Sequence, residues 1–186
     1  MKKQVILALA VLCIVSVSLG QGMGNLSKKS GPEFGIKTAG LRLGAVIPST
    51  KYNTTYGISG VLDVGQLTSF LGIGVELDYW KAKQHTNGAD VFYRSIGGGI
   101  TVYYLPTFEW KIKPKAGLGL GVYSYKKDYP DNWDQTDKTE LNPFEPHVEI
   151  SADYPMEGEI DLTGAFRANL SNISAYSIYV GAKYKL

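Results

Sequence analysis

The stretch LGIGVELDYW, residues 71 to 80, decides the fold because it alternates between two kinds of residue. Leu71, Ile73, Val75, Leu77 and Tyr79 occupy its odd positions, and Gly72, Gly74, Glu76, Asp78 and Trp80 occupy its even positions. Successive side chains of a β-strand point to opposite faces, whereas helical spacing would mix the two sets. The stretch therefore predicts a strand with one apolar face and one face of mostly small or charged residues.

The same alternation recurs along the chain and predicts eight strands in all. Besides residues 71–80, it appears at residues 41–47, 56–64, 96–104, 116–122, 148–154, 160–168 and 176–186. A soluble sandwich or barrel would share this pattern, but it would turn the apolar face inward and the charged face toward water. The alternation alone therefore leaves both classes of protein open.

The connections between strands favour a membrane barrel, because long and short ones alternate. The first, third, fifth and seventh are predicted at residues 49–55, 83–90, 126–140 and 169–174, and the shorter ones at residues 65–68, near Pro106, and at residues 155–158. Outer-membrane barrels have short periplasmic turns and longer outer loops, with strands of about nine to eleven residues. We therefore predict an all-β fold, an eight-stranded antiparallel up-and-down transmembrane barrel.

In this arrangement the ionisable face lines the lumen. An eight-stranded barrel is only wide enough for side chains to fill it, which argues against a wide aqueous pore. Buried charges without partners cost several kcal/mol, so the inward charges are expected to pair. The predicted lumenal charge network comprises Arg42, Glu76, Asp78, Lys113, Lys115, His147, Glu149, Asp153, Asp161, Arg167 and Lys183, with Asp63 on the same face.

Aromatic residues near the strand ends are expected to form girdles at the headgroup level, where a ring with a polar tip is favourable. These residues are Tyr56, Tyr79, Trp80, Tyr104, Phe108, Trp110, Tyr154, Tyr176 and Tyr184. Pro114 and Pro146 cannot donate a hydrogen bond to a strand ladder. We therefore expect the fifth strand to begin late, near Lys115, and the sixth to be irregular at its outer end.

The N-terminus has the pattern of an export signal. Lys2 and Lys3 precede an apolar run, and small residues lead to cleavage near Gly20 and Gln21. The predicted organisation is therefore a signal peptide at 1–20, a periplasmic linker at 21–33 and the barrel at 34–186. The only cysteine, Cys13, lies in the signal, so the mature chain would contain no disulfide.

Charge and hydropathy exclude two classes of protein. Without Lys2 and Lys3 the chain has 17 basic and 17 acidic residues, and a neutral chain is a poor nucleic-acid binder. No mature stretch is uniformly apolar over about 18 residues, which excludes a helical membrane protein.

The sequence also resembles a known family. Its glycine-rich segment at residues 114–123, PKAGLGLGVY, and its closing segment at residues 179–186, YVGAKYKL, are similar to strands of the small outer-membrane β-barrel family that includes the OmpA membrane domain and OmpX. The closing segment differs in ending on Leu186, where an aromatic residue is usual. The resemblance implies insertion by the barrel-insertion machinery through this last strand, and contact with outer-membrane lipids and lipopolysaccharide.

Catalytic and metal-binding hypotheses receive less support from the sequence. His147 and Glu149 share one face, and Ser151 or Thr163 could complete a nucleophilic set, but all four are predicted to face the lumen rather than a substrate. The fifth connection is acidic and is a possible surface contact through Asp128, Asp131, Trp133, Asp134 and Asp137. It has neither the central glycine nor the ligand spacing of a calcium loop. We predict no cofactor and no metal.

The expected function is therefore that of a non-catalytic, monomeric protein of the bacterial outer membrane. It would contribute to envelope structure, or contact surface ligands through its outer loops. The alternatives are a lipid A hydrolase or acyltransferase built on a barrel, a narrow channel, and a soluble binding barrel of lipocalin type.

Overall fold

A computed structural model describes residues 32–48, 52–86, 88–107, 109–130, 138–170 and 175–186, and these form eight β-strands. The strands are β1 (Glu33–Pro48), β2 (Thr55–Thr68), β3 (Leu71–Thr86), β4 (Ala89–Tyr104), β5 (Lys113–Asp128), β6 (Lys138–Pro155), β7 (Ile160–Asn169) and β8 (Ala175–Lys185). Each of the eight predicted alternating stretches falls on one of them. The predicted signal peptide and most of the linker lie outside the described residues.

The strands form a closed barrel with up-and-down topology. Each strand pairs antiparallel with the next, and β1 closes the ring against β8, where Gly40 lies opposite Lys183 and Pro48 lies opposite Ala175. Closure leaves no sheet edge exposed, so each strand has a neighbour on both sides. The predicted fold class is confirmed. Within the described residues, no helix is long and apolar enough to cross a membrane.

The two faces of the barrel wall differ sharply in chemistry. Leu77 and Ile178 point outward with 68% and 54% of their surface exposed, whereas Glu76 and Lys183 point inward with 2% and 3% exposed. A soluble protein buries its aliphatic residues and leaves its charges in water. This barrel has the reverse arrangement, as the strand alternation predicted.

The barrel has two distinguishable ends. The terminal end contains the start of β1, the end of β8 and the connections at residues 69–70, 105–112 and 156–159; the loop end contains the connections at residues 49–54, 87–88, 129–137 and 170–174. Gly88 has a φ of 77°, which a non-glycine residue rarely adopts. β3 and β4 are therefore joined by a tight turn that includes Gly88.

Three predicted connections were too long by two or more residues. The third, expected at residues 83–90, is confined to residues 87–88, because β3 and β4 continue to the pair Thr86–Ala89. The sequence Asn87-Gly88 is a strong signal for a two-residue hairpin, and it accounts for this correction. The second and fifth connections shorten in the same way, because β2 extends to Thr68 and β5 to Asp128.

The prediction for the two prolines is wrong for β5 and right in part for β6. β5 begins at Lys113 rather than near Lys115, so Pro114 lies inside the strand, opposite Ala152. The connection before β5, predicted to be short, has eight residues. β6 is irregular at its outer end, as expected, but Pro146 itself pairs in register with Leu120. The register shift lies one step further out, between the pairs Gly121–Glu145 and Tyr123–Asn142, where Pro143 stands. Such a bulge accommodates a residue that cannot donate to the ladder.

Candidate functional site

The centre of the lumen contains a buried cluster of charges around Arg167 of β7. Its guanidinium group lies 2.5 Å from Asp78 and 2.7 Å from Glu149, and it also contacts Glu76. Asp78 and Glu76 belong to β3, on the opposite wall, so these ion pairs cross the lumen. We call Arg42, Glu76, Asp78, His147, Glu149 and Arg167 the central cluster.

Glu149 also binds groups from the other walls. Arg42 of β1 donates to its carboxylate at 3.1 Å, and the Tyr103 hydroxyl of β4 donates at 2.9 Å. The Tyr123 hydroxyl of β5 likewise donates to Asp78 at 2.7 Å. Charge-assisted hydrogen bonds of this kind are stronger than neutral ones, so the cluster ties most of the barrel wall together.

His147 of β6 completes the central cluster. Its Nε2 lies 2.8 Å from Glu76 Oε1 and 2.7 Å from the Thr101 hydroxyl. Three carboxylates thus face two guanidinium groups and this imidazole. All of these side chains are almost completely buried.

A second set of charges lies toward the terminal end, and we call Asp63, Lys115, Asp153 and Lys183 the terminal-end cluster. Lys115 lies 2.8 Å from Asp153 and 3.5 Å from Asp63, and Lys183 lies 3.2 Å and 3.4 Å from the same two carboxylates. Thr38 donates to Asp63 at 2.8 Å. Two cations and two anions thus balance one another.

The lumen toward the loop end is filled mainly by aromatic side chains, and Tyr125 donates a hydrogen bond to the buried Glu145 there. The Tyr93 and Tyr125 rings stack with centroids 5.7 Å apart, and Tyr52 stacks on Tyr93 at 4.8 Å. Trp80 packs against both Tyr93 and Tyr125. With Tyr123 and Tyr179 these residues form the aromatic cluster. The sequence reasoning missed it and was wrong to place Trp80 in the outer girdle, because Trp80 is buried inside.

The structure brings together most of the predicted lumenal residues but separates two. Lys113 is exposed at the terminal end, because it stands at the start of β5, beyond the filled part of the lumen. Asp161 also lies near that end, where it pairs with Lys185 at 2.8 Å and not with either cluster. These two residues are corrections to the predicted network.

The acidic connection also differs from the prediction. Asp128 belongs to β5, where it pairs across strands with Arg94 at 2.7 Å and with its neighbour Lys126 at 3.1 Å. Opposite charges on adjacent strands stabilise their pairing, which explains why β5 stays paired with β4 beyond the predicted end of the strand. The other predicted contact residues, Asp131, Trp133, Asp134 and Asp137, lie outside the described residues.

The geometry does not assemble the hypothetical nucleophilic set. His147 contacts Glu76 and Thr101 through a single ring nitrogen, and no hydrogen bond joins it to Glu149, Ser151 or Thr163 in the described part of the chain. In that part no group of three or more His, Cys, Asp or Glu side chains is placed to hold a metal ion. The arrangement is suited to filling and sealing the lumen.

Solved structures with the same architecture exist. The outer membrane protein OprG from Pseudomonas aeruginosa has a TM-score of 0.60 and 10% identity, covering 86% of this chain and 100% of that one. Neisserial surface protein A gives 0.57 and 18%, covering 80% and 96%. The attachment invasion locus protein Ail of Yersinia pestis, in complex with the heparin analogue sucrose octasulfate, gives 0.53 and 7%, covering 81% and 99%.

This chain has the fold of the small outer-membrane β-barrel proteins. The resemblance seen in the glycine-rich segment and the closing strand is thereby confirmed for the fold. Comparison with protein-family models finds no match, and comparison with curated proteins finds none either. The sequence identities to these solved structures are low, so any function has to be argued from the residues of this chain.

Proposed function

We propose that this protein is an integral, non-catalytic protein of the bacterial outer membrane whose sealed barrel supports surface loops. The observation that carries the proposal is the reversed arrangement of the wall. Leu77 and Ile178 face outward, while Arg167 and its carboxylate partners are buried inside. Aliphatic side chains gain free energy in contact with lipid tails, and paired charges are tolerated only away from them.

In this proposal, a signal at the N-terminus directs export, and a segment near the C-terminus directs insertion into the membrane. The signal is cleaved near Gly20 and Gln21, and the closing segment at residues 179–186 is recognised by the barrel-insertion machinery. The terminal end then faces the periplasm and the loop end faces outside. The protein acts as a monomer, because a closed barrel leaves no strand edge to pair with another copy.

The filled lumen supports a structural or binding role over transport or catalysis. Arg167 links opposite walls through Glu76 and Asp78, and the aromatic cluster fills the lumen above it. A solute would have to break these buried ion pairs to pass. His147 and Thr101 are equally buried, so a lipid substrate has no path to them. The loops at the outer end remain the surface available to partners. Ail, which has the same fold, was solved in complex with a heparin analogue.

The test is to express the full chain in a Gram-negative host and separate the inner, outer and soluble fractions. We expect the mature chain in the outer-membrane fraction, with faster gel migration before boiling than after it. A variant lacking residues 2–20 should stay in the cytoplasm and serve as the control for export. Recovery of the exported chain as a soluble periplasmic protein without detergent would overturn the proposal.

The same cells test the non-catalytic part of the proposal. Mass spectrometry of lipid A from cells with and without the chain should give the same acyl pattern. A changed acyl pattern that is lost on substituting His147→Ala would establish a lipid-modifying enzyme instead. Conductance in planar bilayers should remain at the background level, and ion channels of defined conductance would contradict a sealed lumen.

A further inference from the structure

The outer wall of β3, β4 and β5 contains an apolar groove that the proposed function does not use. The volume of the groove is about 460 Å³. Gly98 is one of its lining residues, and the absence of a side chain there leaves the groove open. The groove is lined by exposed aliphatic and aromatic residues, namely Leu77, Ile100, Leu120, Val122 and Phe144. On a wall facing hydrocarbon, a groove of this chemistry fits an acyl chain.

A row of basic residues lies above this groove, toward the loop end. Lys81 of β3 is directly opposite Arg94 of β4, and Arg94 is directly opposite Lys126 of β5. Paired strands are about 4.8 Å apart, so the row spans about 10 Å across the wall. Residues separated by an even number of positions in a strand point to the same face. Each of the three basic residues is an even number of positions from a groove-lining residue of its own strand, so all three side chains point outward like the groove.

The spacing between the row and the groove matches the dimensions of a lipid. Each basic residue is four positions beyond a groove position on its own strand, as Lys81 is from Leu77, Arg94 from Gly98 and Lys126 from Val122. Four residues of strand rise about 13 Å. Strands of such barrels tilt by about 40°, so the row lies about 10 Å beyond the groove along the membrane normal, nearer to the lipid headgroups.

Two described carboxylates pair with basic residues in this region. Asp128 pairs with Arg94 and Lys126, and Asp90 pairs with Lys83 at 3.1 Å and with His85 at 2.9 Å. Four basic residues, Lys81, Lys83, Arg94 and Lys126, thus face two carboxylates. The Lys81 ammonium group also lies 4.0 Å from the centre of the Phe92 ring. Among these described residues, the lysine and arginine side chains outnumber the carboxylates by two.

This combination is specific to one side of the barrel. Among the side chains that the structure describes, the outward positions in the loop-end halves of β1, β2, β7 and β8 contain no lysine or arginine. They are occupied by residues such as Ile47, Tyr56, Phe166, Tyr176 and Ile178. The basic row and the groove therefore coincide on the same three strands.

We propose that this face binds one phosphorylated, multiply acylated lipid of the outer leaflet. A phosphate group contacts the row of Lys81, Arg94 and Lys126, and an acyl chain lies in the groove over Gly98. Arginine and lysine are the usual partners of phosphate, and the groove supplies the apolar contact that free phosphate lacks. The inference rests on the proposed function, because it requires this wall to face lipid.

The experiment titrates the purified chain, in detergent micelles, with hexa-acylated lipid A bearing two phosphates. Dephosphorylated lipid A, phosphatidylethanolamine and inorganic phosphate are titrated in parallel, and native mass spectrometry counts the molecules retained. We expect one retained lipid A, at a concentration about tenfold lower than its dephosphorylated form requires. Excess inorganic phosphate alone should not displace it.

Two sets of variants separate the row from the groove. The triple variant Lys81→Gln, Arg94→Gln, Lys126→Gln should weaken retention about tenfold or more, whereas Lys37→Gln, Lys113→Gln, Lys185→Gln at the terminal end should not. Leu120→Trp should fill the groove and weaken retention, whereas Leu43→Trp on β1 should leave it unchanged. Each variant is first checked for heat-modifiable migration, so that loss of folding is recognised.

The outcomes distinguish this inference from the proposed function. Equal retention by the wild type and the row triple variant, or an equal loss in both triple variants, would overturn the lipid site. So would complete displacement by inorganic phosphate. If the chain resides in the outer membrane yet retains no lipid A, the site is wrong while the membrane assignment stands. If the chain is soluble, both are wrong.

Discussion

Replacing Arg167 with Met should destabilise the barrel more than any surface substitution, because one guanidinium group contacts three buried carboxylates. Asp78 and Glu149 lie 2.5 Å and 2.7 Å from it, and Glu76 is also in contact. Removing one partner of a buried ion pair costs about 3 to 5 kcal/mol, since the remaining charge stays buried. With a urea m-value of about 2 kcal/mol per molar, the unfolding midpoint should fall by about 2 M.

The assay is reversible unfolding in phospholipid vesicles, followed by tryptophan fluorescence and by gel migration. Lys185→Met is the matched control, because it removes a partly exposed ion pair with Asp161, for which about 0 to 1 kcal/mol is expected. Combining Arg167→Met with Glu76→Gln and Asp78→Asn should restore part of the loss by removing two of the stranded charges. A midpoint for Arg167→Met equal to that of the control would refute the reasoning.

Two further substitutions probe the packing of the lumen and the outer wall. In Gly119→Ala, the new methyl group would lie 2.2 Å from Nε2 of His147, so the imidazole must leave its partners, and we expect a loss of about 1 to 3 kcal/mol in vesicle unfolding. Gly60→Ala, whose methyl group has its nearest neighbour at 3.9 Å, should change stability little, and equal effects of the two would contradict the close packing. Leu77→Lys places a charge against the acyl chains and should cost about 2 to 4 kcal/mol, against about 0 to 1 kcal/mol for Tyr56→Lys near the loop end. No difference between these two lysine variants would count against a lipid-facing wall.

The strands could be predicted because their signal is local. In residues 71–80 the two-residue period is visible without knowing any neighbour, and the structure places all five apolar members on the outer face. The hairpin at Asn87-Gly88 was equally visible, but the polar residues around it were interpreted as a longer loop. The strands instead continue to residues 86 and 89.

The contacts inside the lumen could be predicted only as a set. Arg42 and Glu149 are 107 residues apart in the chain, and they meet because β1 and β6 are brought together by closure of the ring. Which inward charges share a level depends on the stagger of the strands, and the alternation pattern does not encode that stagger. This is also why the exposed position of Lys113 was not foreseen.

The aromatic cluster had a signal that was not used. Tyr123 and Tyr125 are in phase with Gly117, Gly119 and Gly121, so the strand period already placed both rings inside the barrel. Of the aromatic cluster, only Trp80 is among the rings that the sequence analysis predicts for the membrane interface. The position of the cluster follows from volume, because the glycines on the inner face leave space that large side chains can fill.

The decisive measurement is the accessibility of spin labels at two levels of the outward face of the barrel in lipid vesicles. The only cysteine of the chain, Cys13, lies in the predicted signal, so single labels can be attached at Leu77→Cys, Ile178→Cys and, near the loop end, Tyr56→Cys. If the wall faces lipid, the labels at 77 and 178 will collide with oxygen dissolved in the bilayer and be shielded from a water-soluble nickel complex, while the label at 56 will show greater access to nickel. Equal or greater nickel access at positions 77 and 178 would mean that the aliphatic face lies in water, and the assignment of a membrane barrel would be wrong.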